Sequence, residues 1–233
     1  MKVLFNADDF GLTKGVTDGI IKAYKDGVVS SATLMMNGKA IDYAVSQAKK
    51  HPLLNIGIHL VLTWGKPISG NVPSLLDNQG FFKFKNTFLE VEDVDVDAVE
   101  REWCAQIDAF LATGLPLHHI DSHHHIHGWG LLKEVVVKLA QRYNVPVRYV
   151  ESLKGNPEIL LTETLWLDFY GEGVDYEIFN KLQQLDTTSV EVMTHPAIID
   201  EDLKEFSSYI EKREQELEIL CGLQVPNWVE DCS

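Results

Sequence analysis

The chain has 233 residues, 45% of them hydrophobic, and a mean hydropathy of -0.07, enough to bury one core, and we read residues 1–233 as a single domain. Its 35 acidic residues outnumber 20 basic ones for a formal charge of -15, a sign that opposes binding to nucleic acid or to anionic membrane surfaces. The acidic runs Glu90–Glu102 and Asp200–Glu218 read as solvated helix faces that favour solubility and name no substrate.

Three cysteines, Cys104, Cys221 and Cys232, form no C-x-x-C pair, and their odd number fits a reducing cytoplasm. Val3-Leu4-Phe5 ahead of Asn6 and an aspartate pair reads as neither a signal peptide nor an anchor. No apolar run approaches the ~18 residues needed to span a bilayer.

In chain order, Val3–Phe5 predicts a strand, Gly19–Tyr24 the start of a helix, Ala32–Met36 a strand, Ala40–Lys49 a helix and Ile56–Leu62 a strand. Thr63–Asn86, with Pro67, Gly70, Pro73 and Gly80, predicts an irregular excursion over one face. Asp95–Leu111 is helical in pattern, Leu117–Asp121 a strand, Leu131–Tyr143 an amphipathic helix and Pro146–Val150 a strand. Leu165–Phe169 (strand), Tyr176–Gln184 (helix), Ser189–Met193 (strand) and Leu203–Leu220 (one long charged helix) complete the pattern.

Alternation of this kind argues for parallel strands with right-handed crossovers. Asp8, Asp9, Asn37, His59, His123, Arg148 and His195 all fall at or just past predicted strand ends. A (β/α) barrel gathers such ends at one mouth, whereas an open sheet spreads them along a line, so a barrel is expected.

Four constellations could carry chemistry. Asn6-Ala7-Asp8-Asp9-Phe10-Gly11 sets two carboxylates side by side, costly unless a cation or a proton separates their roles; a turn ahead of a glycine would use the same residues. His59, between Ile58 and Leu60, suits a core histidine as well as a ligand. From His118 to His127, six of the chain's nine histidines crowd together, and His119, Asp121 and His123 share a face if extended. Neutral imidazoles ligate borderline divalent metals, and Asp121 could ligate or orient a ring. Finally, Met193-Thr194-His195-Pro196 offers a histidine at a strand end, suited to protonating a leaving amine or to a capping role.

One aspartate and two histidines from separate strands would make a three-ligand site with a position left for water. The remaining aspartate could then act as general base. Arg148 could hold that carboxylate ionised, or equally lie on the surface beside an acidic helix. Trp64 and the segment Asp168-Phe169-Tyr170-Gly171 would place aromatic surface near the mouth, suited to a sugar ring or to ordinary packing.

These strings, with Asn37-Gly38-Lys39-Ala40, His59-Leu60-Val61-Leu62-Thr63, Gly65-Lys66-Pro67 and Glu191-Val192-Met193-Thr194-His195-Pro196-Ala197, resemble the YdjC-type chito-oligosaccharide deacetylases over most of the chain. The resemblance implies a distorted (β/α) barrel related to polysaccharide deacetylases. It implies Asp9, His59 and His123 as ligands of a divalent ion, magnesium or zinc foremost, with Asp8 as general base, His195 as general acid and Arg148 orienting Asp8. Asp121, His124 and Tyr170 would lie around the substrate or behind the ligands. The expected activity is hydrolysis of the N-acetyl amide of N-acetylglucosamine oligosaccharides such as chitobiose, and fold analogy hints at a homodimer. A two-histidine, one-carboxylate iron oxygenase, a sugar-binding protein without turnover and a metal-dependent phosphoesterase are the alternatives.

Overall fold

The first strand outruns its apolar prefix: β1 spans Lys2–Phe10 and carries both aspartates within it. In the computed structural model, residues 1–88 and 91–231 are described; Glu90, which opens the first acidic run, and Cys232 lie outside them. The chain continues with α1 (Lys14–Asp26), β2 (Ser31–Leu34), α2 (Ile41–Lys50), β3 (Asn55–Leu60), α3 (Val96–Ala112), β4 (Ile120–Ser122) and α4 (Lys133–Tyr143). It ends with β5 (Thr164–Trp166), α5 (Ile178–Leu182), β6 (Ser189–Thr194), α6 (Glu201–Phe206), α7 (Glu211–Gly222) and the short β7 (Glu230–Asp231), which no hydrophobic pattern announced.

The main sheet runs β4-β3-β2-β1-β6-β5, with β7 beside the start of β1. Every pairing is parallel, and the six longer strands curl into a half-barrel flanked by helices. The strands β1, β2, β3 and β6 are buried almost throughout, as expected when both faces of a parallel sheet are covered. Among the described residues no helix is long and apolar enough to cross a membrane.

Two expectations are corrected. Pro146–Val150 is not a regular strand: Val147 makes single parallel bridges to Ile120 and Leu160, since proline provides no N–H for a ladder. Those bridges nevertheless carry the curl past β4 and aim Arg148 inward. The charged stretch Leu203–Leu220 is two helices. The Ser207 hydroxyl donates to the Tyr209 carbonyl at 2.9 Å, a local bond that competes with helix, and the break sets Tyr209 at the mouth.

Close approach of backbones fixes where α1 lies. Gly19 sits against the segment after β6, where an added Cβ would come within 2.7 Å of the Ala197 carbonyl carbon. Alanine gains about 1 kcal/mol over glycine in a helix interior, but here the obstruction is backbone and cannot swing away. Overpacking of this kind costs about 1–3 kcal/mol. Gly19→Ala is therefore expected to lower Tm in thermal unfolding; an unchanged or raised Tm would show that α1 and the His195 segment are not held in this contact.

Candidate active site

On a flat strand Asp8 and Asp9 would point to opposite faces. Here they line one pocket, because the β1–β2 register shifts between Ala7 and Phe10 and Asp9 adopts φ 68°. Aspartate tolerates the left-handed region better than most residues, and a bulge re-aims side chains in this way. Both carboxylates are buried, and each is met by a different arginine.

Arg148 grips Asp8 with Nη1 donating to Oδ2 at 2.7 Å and Nη2 to Oδ1 at 2.6 Å. The same guanidinium donates from Nε to Glu191 Oε1 at 2.8 Å and sits 2.8 Å from Asp121 Oδ2. Burial pushes the Asp8 carboxyl up, but Arg148 outweighs it and holds Asp8 well below the usual carboxylate range. Asn6 Nδ2 adds a bond to Asp8 Oδ1 at 2.8 Å. Asp9 is held down in the same sense against its burial, by Arg213, whose Nη2 donates to Asp9 Oδ2 at 2.6 Å.

His59 enters from β3. Its Nδ1 pairs with Asp121 Oδ1 at 2.8 Å, and Asp121 Oδ2 accepts from the Thr33 hydroxyl at 2.9 Å. A ring held through Nδ1 presents Nε2 outward, here 3.5 Å from Asp9 Oδ1. Burial pushes the His59 pKa down, but Asp121, with Asp8 and Asp9 behind it, lifts it to about 9. This field favours positive charge at Nε2.

The histidine run turns sharply after β4. His124 and His125 have φ of 55° and 54°, so His123, His124 and His125 all line the pocket instead of alternating. Thr63 Oγ1 bonds His123 Nδ1 at 2.8 Å and His124 Nδ1 at 3.1 Å. Burial holds His123 well below its ordinary pKa, hence neutral, and its ring centroid is 5.9 Å from that of His59. His119 lies deeper, against Gly57, and His127 is tied to Ser122 Oγ at 2.6 Å.

His195 follows β6 with Nε2 4.0 Å from Asp8 Oδ2, and burial pushes it down to about 4. Its backbone N–H donates to Glu216, which also accepts the Tyr209 hydroxyl at 2.6 Å. Tyr209 stacks on Tyr170 with centroids 4.1 Å apart and a 16° tilt. Across the mouth Trp64 meets Phe206 edge-on, and Asn37 Nδ2 holds the Trp64 carbonyl at 3.0 Å.

The hollow is about 400 Å³, the scale of a small-ligand site. A larger hollow of about 600 Å³ lies by the start of β1, lined by Met1, Lys2 and Thr188 among others, and contains none of the candidate groups. Within the described residues, the triads whose donor atoms all fall within 4.8 Å of one another are Asp8–His59–Asp121 and His119–Asp121–Glu191. Arg148 already brings positive charge to Asp8, Asp121 and Glu191. Of the three ligands expected from the sequence only His59 belongs to a triad; Asp9 and His123 belong to neither. Asp9 Oδ1 is buried without a hydrogen-bond partner and faces His59 Nε2, the outer nitrogen of an anchored imidazole, at 3.5 Å. That donor pair fits a divalent cation, with His123 the next imidazole along the wall.

Sequence reasoning singled out Asp8, Asp9, His59, His123, His124, Tyr170 and His195, which line this hollow, and Asp121 and Arg148, which lie behind them. It missed Glu191, although a glutamate between Val190 and Val192 in a buried strand was a readable signal. It also missed Arg213 and Glu216, hidden in a helix that is charged all round.

A carbohydrate deacetylase of Oceanobacillus iheyensis is 54% identical over 230 residues, covering 99% of this chain and all of that one. One of Brevibacillus brevis is 44% identical over 238 residues, 99% of this chain and 95% of that one. The crystal structure of a proposed cellobiose-phosphate cleavage protein from Enterococcus faecalis superposes with a TM-score of 0.87 at 34% identity, covering 97% of both chains. The model of the YdjC-like proteins matches residues 2–231, and the chain belongs to that family.

Proposed function

We propose that this protein is a metal-dependent carbohydrate deacetylase that hydrolyses the N-acetyl amide of N-acetylglucosamine oligosaccharides such as diacetylchitobiose, releasing acetate. One observation carries the reading: a bare, buried carboxylate oxygen of Asp9 beside His59 Nε2, next to a second carboxylate held by its own arginine. Relatives named carbohydrate deacetylase, matched from end to end, support the substrate class. A half-barrel of parallel strands is foreign to the all-β sandwiches that usually host a two-histidine, one-carboxylate iron centre.

Asp9, His59 and His123 would hold the ion, which supplies Lewis acidity toward the acetyl carbonyl and a bound water. Asp8 takes a proton from the attacking water as the new C–O bond forms. Arg148 keeps Asp8 ionised, which makes it a weak base that gives the proton up again readily. His195, neutral at physiological pH and 4.0 Å away, receives that proton. It passes it to the sugar nitrogen as the C–N bond breaks, leaving acetate and a free amine. An amide nitrogen leaves only when protonated, so this donor is required. The outer face of Tyr170, opposite its stack on Tyr209, is offered to a sugar ring.

Metal-stripped protein re-supplied with zinc, magnesium, manganese, cobalt or nickel singly should release acetate from diacetylchitobiose with at least one ion. Release undiminished by stripping, or absent with every ion, defeats the proposal. Asp8→Asn should lower kcat on the order of 10²–10⁴-fold with metal content unchanged by elemental analysis; retained turnover removes Asp8 from the chemistry. For Tyr170→Ala the expected signature is a higher KM with kcat little altered, and unchanged steady-state kinetics would mean the ring does not touch substrate.

A further inference from the structure

Helix α7 sends two charged side chains inward one turn apart, Arg213 and Glu216, both buried. Glu216 braces the backbone of His195 and the Tyr209 hydroxyl. Arg213 anchors its Nε on the Tyr209 carbonyl at 2.9 Å and extends Nη2 to Asp9 Oδ2 at 2.6 Å. Among the described residues no other group hydrogen-bonds the Asp9 side chain, and Oδ1 is left bare toward His59.

A carboxylate can meet a cation through one oxygen or both. With Oδ2 committed to a guanidinium, Asp9 has one oxygen to give. We propose that Arg213 is a positioning residue, confining Asp9 to single-oxygen ligation and turning that oxygen toward His59 Nε2. The inference rests on the reading of Asp9 as a ligand.

Its charge has the same sign as the ion, so Arg213 opposes binding electrostatically. What it contributes is geometry: a fixed ligand angle and a coordination position left open for water, as catalytic sites need. A residue that only shaped the pocket would lose metal and activity together. A residue that restricts Asp9 should, when removed, let activity fall while the ion binds at least as well.

The test uses metal-stripped full-length protein, zinc titrated against a competing chromophoric chelator, acetate-release kinetics and thermal unfolding. Arg213→Gln should bind zinc no more weakly than the wild type, with kcat down on the order of 10–100-fold and KM little changed. Arg213→Lys, which keeps the charge but not the fork, should recover part of kcat. Zinc affinity falling in step with kcat, or kcat unaffected, overturns the proposal. If Arg213→Gln does not fold, Arg213→Lys decides alone: reduced kcat at undiminished affinity supports it, and wild-type kcat overturns it. Asp9→Asn separates the underlying reading, because zinc affinity unmoved by that change shows Asp9 is no ligand, whatever the Arg213 variants do.

Discussion

A single buried guanidinium holds the centre of this half-barrel together. Arg148, fully shielded from solvent, touches Asp8 of β1, Asp121 of β4 and Glu191 of β6 within 2.6–2.8 Å. Three carboxylates around one cation leave a surplus of negative charge in low dielectric, where uncompensated charge costs several kcal/mol per ion. The surplus is met in two ways. Burial pushes Glu191 up to about 7, so it holds a proton part of the time, and Asp121 shares its charge with His59 at 2.8 Å. The site is therefore an electrostatic assembly in which ionisation at one carboxyl is set by the others.

That assembly explains why the strands need so little regular ladder at the open edge. Arg148 stands in a segment with only isolated bridges, yet its side chain reaches across the interior to strands on both sides of β1. Ion pairs of this kind add little net stability, but breaking one partner strands the rest. The barrel interior is thus specified by polar geometry as much as by its apolar layers, and the same geometry points Asp8 and His59 at the mouth.

How much of this was legible in the sequence depended on contrast with the local background. Asp8 and Asp9 stood out because they end an apolar strand, and the histidines because six fall within Asp121's neighbourhood, from His118 to His127. The strand–helix alternation gave the architecture, since its period reflects burial directly. Arg213 and Glu216 had no such contrast in Glu211–Gly222, where buried and exposed charges follow one another. Only the tertiary approach of α7 separates them. The break at Ser207–Ile210 was equally hidden, since no proline or glycine marks it and a serine hydroxyl makes it. Nor could periodicity show that Asp9, His124 and His125 leave the ordinary backbone regions and so place neighbours on one face that a regular element would divide.

The two adjacent aspartates show what those departures achieve. Carboxylates forced into one pocket repel, and a shared proton would be the usual relief. This site instead gives each its own arginine, from opposite directions: Arg148 from inside the barrel and Arg213 from α7. The two grips differ. Arg148 takes both oxygens of Asp8, a forked contact that lysine cannot reproduce, while Arg213 takes only Oδ2 of Asp9. Asp8 is left ionised with its orientation fixed, and Asp9 is left with one bare oxygen. Chemically identical neighbours thereby present different faces to the pocket, one with both oxygens gripped by an arginine and the other with one oxygen free of hydrogen bonds. The difference comes from how many of their oxygens the protein has already engaged.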